Sequence, residues 1–265
     1  MTYENILYDV QEGVATITLN RPESYNALSL GTLEDLKAVF KALSRDNTVR
    51  AVILTGSGKG FSSGADLVEL GAVLDEVPIT DVLRNGLNTL AVLVRGLEKP
   101  VVCAVNGVAA GAGASLPLMC DYRIAAENAS FVFAAFVNIG LVPDGGGTFL
   151  LPQLIGAGKA LELFLLADAR NRLSAADALS LGIVNRVVPA EALLDEARTM
   201  ATKLAKMPTR AIGLTKRAIY GAHERTLAEA LEYEAQLQRA TFRTHDFKEG
   251  VAAFLEKREP AFKGE

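Results

Sequence analysis

Three glycine-rich stretches bring small residues to places where a ligand could approach the main chain: TGSGKGFSSGADL (55–67), NGVAAGAGASL (106–116) and LVPDGGGT (141–148). Turns of this kind can leave backbone N–H groups free, and two such groups from separate turns can hold one developing oxyanion without a charged side chain. That suits the chemistry of enolates and thioesters. The third stretch adds a carboxylate, Asp144, between a proline and three glycines. Pro-Asp-Gly is by itself a strong turn signal, whereas a carboxylate held beside an oxyanion site can carry a proton. Both readings stand on the residues alone. Glycine and alanine runs taken singly mark tight turns and close packing more often than catalysis.

Other chemistries fail on detail. A phosphate-binding loop needs Ser or Thr after its lysine, but Lys59 is followed by Gly60, and GAGASL lacks the third glycine of a dinucleotide fingerprint. A serine-hydrolase elbow needs glycine two residues after the nucleophile, yet Ser115 is followed by Leu116 and Pro117. The two histidines, His223 and His245, fall in the C-terminal helices, where capping or lining is the simpler role. Cys103 and Cys120 sit in apolar stretches with no ligand-spaced neighbours and read as buried thiols, so neither a metal nor a disulfide is expected.

The elements that must position these turns follow from pattern. The chain has 265 residues, half of them hydrophobic, and a net charge of −4 with no basic patch for nucleic acid or an anionic membrane. The start lacks a signal-peptide pattern and no apolar run nears the roughly 20 residues of a membrane span, so a cytoplasmic location is expected. GVATITLN (13–20) alternates as a half-exposed strand does, and RAVILTG (50–56) reads as a buried one. Residues 29–46 between them carry a helical stripe, Leu33, Leu36, Val39, Phe40 and Leu43, giving a strand–strand–helix–strand opening. A second helix is predicted over 81–99, closed by Pro100 before the strand VVCAVNG (101–107). YRIAAE, SFVF and NRVVP supply further short strands, and the class is α/β. After Pro189 four amphipathic helices follow with short connections. A boundary near residue 195 divides a core (1–195) from a helical region (196–265) expected to pack on it or on another subunit.

Taken together and in order, ITLNRPESYNAL (17–28), RAVILTGSGKGFSSGADL (50–67), KPVVCAVNGVAAGAGASL (99–116), CDYRIAAENASF (120–131), IGLVPDGGGT (139–148), ALSLGIVNRVVP (178–189) and DFKEGVAAFLEKREPAF (246–262) resemble the enoyl-CoA hydratase/isomerase, or crotonase, family over nearly the whole chain. The resemblance implies a ββα spiral with a C-terminal helical region that makes trimers, usually a dimer of trimers, and an acyl-CoA substrate whose coenzyme A is part of the substrate, with no further cofactor. Carried over position by position, the N–H groups of Ala65 and Ala112 resemble the oxyanion donors, with Gly64 and Gly113 keeping their turns tight. Tyr25, Ala27, Leu28, Ser63, Asp66 and Leu67 resemble positions that cradle the adenine and pantetheine of CoA. Asp66 reads equally well as a helix N-cap. Lys257 resembles a position that reaches the CoA phosphates of a neighbouring subunit, and a solvated helix charge explains it as well. Leu70, Val73, Phe136 and Val137 are candidate acyl-pocket residues, or ordinary core.

The chain departs from the family's hydratase pattern. Its two glutamates would fall at Ser115 and Phe136, and although FVFAAFVNIG is one residue longer than expected, the neighbours Ala135 and Val137 are not acidic either. Asp144 remains, and PDGGGTFLLPQLIG is similar to the branch that includes the isomerase of bacterial phenylacetate degradation, where this position is the catalytic aspartate. One carboxylate suits double-bond, epoxide or oxepin isomerisation. Hydration by Asp144 alone, in fatty-acid or aromatic-acid degradation, and acyl-CoA binding without turnover are the alternatives. A nucleophilic aspartate of the dehalogenase kind ranks below them, since that reaction wants an aromatic clamp and a histidine near the ring. Pro117, just inside the helix expected after GAGAS, could kink its first turns.

Overall fold

The computed structural model describes residues 3–73 and 76–265; the side chain of Val73, a candidate pocket residue above, lies outside the described part. The strands are β1 (Ile6–Gln11), β2 (Val14–Leu19), β3 (Ala51–Gly56), β4 (Gly60–Ser62), β5 (Val101–Val105), β6 (Val108–Ala110), β7 (Tyr122–Ala126), β8 (Ser130–Val132), β9 (Leu173–Ser174) and β10 (Arg186–Val188). The helices are α1 (Leu30–Leu43), α2 (Leu67–Val73), α3 (Ile79–Leu83), α4 (Thr89–Gly96), α5 (Ala112–Met119), α6 (Gly147–Ile155), α7 (Ala157–Leu166), α8 (Ala175–Ser180), α9 (Leu193–Ala205), α10 (Thr209–Tyr220), α11 (Leu227–Thr241) and α12 (His245–Glu256).

Two sheets carry the core. One has the order β1-β2-β3-β5-β7-β10 and the other β4-β6-β8-β9. Each strand pair along the chain (β3 and β4, β5 and β6, β7 and β8) gives its first member to the larger sheet and its second to the smaller, and within each sheet these strands run parallel. The polypeptide therefore advances as a spiral of strand, strand and helix, and equivalent turns of successive repeats come side by side. Val101–Val105 is buried at every position, as the crossing helices of a parallel sheet demand. Ser29 caps α1 by accepting a hydrogen bond from the Thr32 N–H, and the stripe Leu33, Leu36, Val39, Phe40 and Leu43 is buried as its spacing predicts.

Three features differ from the sequence expectation. The helix expected over 81–99 is α3 and α4 joined by a wide π turn, Arg84–Asn88, in which Gly86 takes φ −93 and ψ −106. A side chain at Gly86 would begin 3.1 Å from Leu33, so glycine lets this turn press onto α1. Such bulges recur at functional sites, and here the turn carries Leu87, which reaches a cavity wall described below. The strands β4 (GFS), β6 (VAA) and β9 (LS) were not anticipated, because they carry few of the β-branched and aromatic residues that made the equally short β8 and β10 readable in SFVF and NRVVP. Pro117 lies inside α5 without ending it, and the helix runs on to Met119.

Position 195 falls within α9, whose Leu193, Ala197, Ala201 and Ala205 are buried against β2, β3, β5 and β7. By contrast α11 buries no residue within this chain, and α12 leaves Phe254 82% and Leu255 73% exposed. Cys103 and Cys120 are free and buried. Among the described residues no helix is long and apolar enough to cross a membrane, and no three His, Cys, Asp or Glu side chains are grouped to hold a metal ion.

Candidate active site

The first two glycine-rich stretches meet because they occupy equivalent places in neighbouring spiral repeats. Ser63–Ala65 follows β4, and Ala110–Ala112 joins β6 to α5. Gly64 has φ +93, and a Cβ there would stand 2.6 Å from the Ala110 carbonyl and 3.3 Å from the Ala112 nitrogen. Only glycine permits both the left-handed backbone and this approach. Gly111 likewise takes φ +52 at the start of α5. Gly113 is wedged against Ser62, where a Cβ would lie 2.5 Å from the carbonyl oxygen. The Leu28 N–H donates to the Gly64 carbonyl (2.7 Å) and the Asp66 N–H to the Leu28 carbonyl (3.2 Å), a bridge that turns the Ala65 N–H away from Leu28. Ala112 opens α5, where helical N–H groups have no partner within the helix. Among the described residues neither the Ala65 nor the Ala112 N–H meets an acceptor.

Both turns open on a cavity of about 360 Å³ that also reaches Asp144. Its walls are mostly apolar, with Leu30, Leu33, Leu70, Leu87, Phe136 and Leu141 among them. Asp144 sits partly buried in this apolar setting, and its Oδ1 has no hydrogen-bond partner. Burial pushes the carboxyl up to about 6, since the ionised form loses water and gains little in return. The backbone of the same residue is well held. Its carbonyl accepts from the Gly147 N–H and from the Ser115 hydroxyl, each at 3.0 Å, and Gly145 and Gly146 follow with φ +60 and +79. Asp144 is thus both a turn residue and a carboxylate facing a cavity.

The remaining carboxylates on the cavity wall, Asp66 and Glu69, are already committed. Asp66 accepts from the Glu69 N–H (3.3 Å), which makes it the N-cap of α2, and pairs with Arg21 at 2.9 Å. The Arg21 hydrogen bond, followed by that cap, holds its carboxyl below the ordinary range. Glu69 accepts from the Leu30 N–H at 2.9 Å and so pins the start of α1.

The other expected site residues divide by place. Leu28, Ser63, Gly64, Leu67 and Phe136 line the cavity together with Ala65, Ala112 and Asp144. Tyr25 is exposed and packs beside Gly60, and Ala27 is buried; neither is on the cavity wall. Gly113 packs within the turn, and Val137 is exposed beside the wall rather than part of it. Lys257 is the exposed, left-handed residue that ends α12, away from the cavity of its own chain. His223 stacks edge-on to Phe149 and His245 opens α12, both outside the cavity. Asn26 was missed by sequence reasoning. Buried in a left-handed conformation, it donates to the Ser57 and Gly60 carbonyls and accepts from the Arg21 N–H, locking the 21–28 loop to the first oxyanion turn. An asparagine after a Ser-Tyr pair in a turn was the available signal.

Comparison with known proteins agrees with this geometry. The family described as enoyl-CoA hydratase/isomerase matches residues 9–265. The chain is 45% identical to the 1,2-epoxyphenylacetyl-CoA isomerase of Escherichia coli K12, covering 98% of this chain and 99% of that one. It is 38% identical to a crotonyl-CoA hydratase of Syntrophomonas wolfei, over 99% of each. The crystal structure of an enoyl-CoA hydratase from Bacillus anthracis superposes with a TM-score of 0.89 at 38% identity, covering 99% of this chain and all of that one. With its spiral of paired strands and its two free N–H groups beside one buried carboxylate, the chain is an enzyme of the enoyl-CoA hydratase/isomerase, or crotonase, family.

Proposed function

We propose that the protein isomerises an enoyl-CoA thioester, shifting a carbon–carbon double bond or rearranging an epoxide- or oxepin-type equivalent. Asp144 carries the proton, and the N–H groups of Ala65 and Ala112 hold the thioester oxygen as it becomes an enolate. The observation that carries the reading is Asp144 itself: among the described residues that line the cavity, it is the carboxylate with a buried, unpartnered oxygen, whereas Asp66 is paired with Arg21 and Glu69 accepts from the Leu30 N–H. The ionised carboxylate removes a proton from the α or γ carbon and the electron pair moves onto the carbonyl oxygen. The resulting carboxylic acid returns the proton to the other carbon. Atoms balance without a co-reactant. Each backbone donor on the oxyanion is worth about 2.7–4 kcal/mol of barrier in comparable sites. A carboxyl that titrates near 6 is suited to both halves, being ionised at neutral pH yet close enough to it to give the proton back.

The similarity to an isomerase acting on 1,2-epoxyphenylacetyl-CoA supports the class of reaction. Water addition is the second reading, favoured by the relative named crotonyl-CoA hydratase. It asks one carboxylate to activate water and to protonate the α carbon as well. Replacing Asp144 with Asn and assaying a panel of 3-enoyl-CoA esters tests the proposal: turnover is expected to collapse, and unchanged turnover overturns it. Measuring hydration of crotonyl-CoA against double-bond migration in one preparation separates isomerase from hydratase.

In the same reading Tyr25, Ala27, Leu28, Ser63, Asp66 and Leu67 flank the CoA moiety. Lys257 serves the site of a neighbouring subunit, in a trimer or dimer of trimers built on the exposed apolar faces of α11 and α12. The reaction needs no cofactor beyond the coenzyme A of its substrate, and the setting is the cytoplasm.

A further inference from the structure

The unpartnered oxygen of Asp144 raises a question of aim, because a carboxylate that accepts nothing at Oδ1 must be directed by its own backbone. That backbone rests on α5. Ser115 is 2% exposed, is absent from the cavity wall, and lies in the first turn of α5, three residues after Ala112. A serine inside a helix ordinarily bonds the carbonyl one turn back within its own helix. The Ser115 hydroxyl instead crosses to the Asp144 carbonyl at 3.0 Å, over 29 residues of sequence. The loop is seated on the same side chain: a Cβ at Gly145 would fall 3.1 Å from the Ser115 Cβ, and one at Gly147 would fall 3.1 Å from its Oγ. A side chain at either position would crowd Ser115, and Gly145 also holds a left-handed φ of +60.

We propose that Ser115 is a positioning residue for proton transfer, setting the separation between the Asp144 carboxylate and the Ala112 N–H by tying the base loop to the helix turn that carries the donor. The inference rests on the proton-carrying role of Asp144 given above. The hydroxyl touches no substrate. It makes donor and base move as one body, so that a substrate whose oxygen is bound at Ala112 finds its α and γ carbons at a fixed distance from the carboxylate. Misplacements of about 1 Å at such distances cost on the order of 10²-fold in rate.

The test uses the full chain and two variants. Ser115→Ala removes the hydroxyl and keeps the space; Ser115→Cys fills the same volume with a weaker donor. With 3-hexenoyl-CoA as substrate, Ser115→Ala is expected to lose about tenfold or more in kcat with KM changed by less than about threefold. Binding of hexanoyl-CoA, which has no double bond to move, is expected to stay at the wild-type level. The acid limb of the kcat/KM profile is expected to move down toward the ordinary carboxylate range, because the untied loop admits water to Asp144. Ser115→Cys falls between Ala and wild type, and keeps the test decisive should Ser115→Ala fail to fold. In an Asp144→Asn background, Ser115→Ala is expected to add no further loss.

A kcat for Ser115→Ala within about twofold of wild type, with Asp144→Asn inactive, overturns this inference and leaves the proton-carrying role standing. A parallel loss of hexanoyl-CoA binding overturns it too, by making Ser115 a support of the pocket as a whole. An active Asp144→Asn removes the underlying reading, and is seen in that single variant alone.

Discussion

Burial of Asp144 in an apolar wall has two consequences that pull in opposite directions. For catalysis, kcat/KM is expected to rise with pH through an apparent value of about 6 and then level off, because in the proposed mechanism the ionised form is the base. A pH–rate profile checks this, and an acid limb near 4 would contradict the burial. For stability the sign is reversed. A carboxyl raised on folding contributes most below the ordinary carboxylate value near 4, and that contribution is lost as pH climbs through 6. Asp144→Asn is therefore expected to exceed wild type in unfolding free energy by about 1–3 kcal/mol at pH 8, a gap that narrows at pH 5. Denaturant titrations at the two pH values measure it. In PDGGGT the residues alone made Asp144 legible as a turn residue, and its reading as a proton carrier came from the family resemblance. The Ser115 hydrogen bond was not legible, because it depends on how closely two segments 29 residues apart are seated.

The turns themselves invite substitution. Gly64→Ala must place a Cβ 2.6 Å from the Ala110 carbonyl at a φ of +93. Both donor turns would shift, and a kcat loss of about 10²-fold or more is expected in steady-state assays, comparable to deleting an oxyanion donor. Asp66 separates capping from ligand contact. Asn caps helices as well as Asp does, so Asp66→Asn is expected to lose only the Arg21 pair, less than about 1 kcal/mol, whereas Asp66→Ala loses the cap as well, at about 1 kcal/mol more. If Asp66 only caps α2, neither variant changes kcat, and KM stays near wild type for Asp66→Asn; thermal melts and kinetics on the pair decide. Long elements were readable because their periods are long: the α1 stripe and the four helices beyond Pro189 needed several turns of consistent spacing. Among the shortest strands only β8 and β10, with their β-branched and aromatic residues, were readable. The π turn at Arg84–Asn88 was hidden for a different reason, since a continuous apolar stripe says nothing about one extra residue in a turn.

Across the whole molecule the apolar surface is unevenly spent. Leu227, Leu231, Phe254 and Leu255 are all more than half exposed on α11 and α12, helices that pack little against their own spiral. Should the proposed trimer or dimer of trimers form on these faces, the paired substitutions Phe254→Asp and Leu255→Asp are expected to lower the mass seen by light scattering toward that of a monomer, and an unchanged mass overturns that assignment. The α/β class and the run of helices after Pro189 were legible at this scale; what the exposed faces of α11 and α12 meet depends on surfaces that one chain does not pair. A separate consequence lies in the main-chain origin of the two donors. In the proposed reading, any replacement but proline at Ala65 or Ala112 leaves an N–H in place, whereas most replacements at Asp144 remove the carboxylate. Substitution at these three positions is therefore expected to erode turnover more readily than thioester binding, so that a chain without its acid remains a thioester-binding protein.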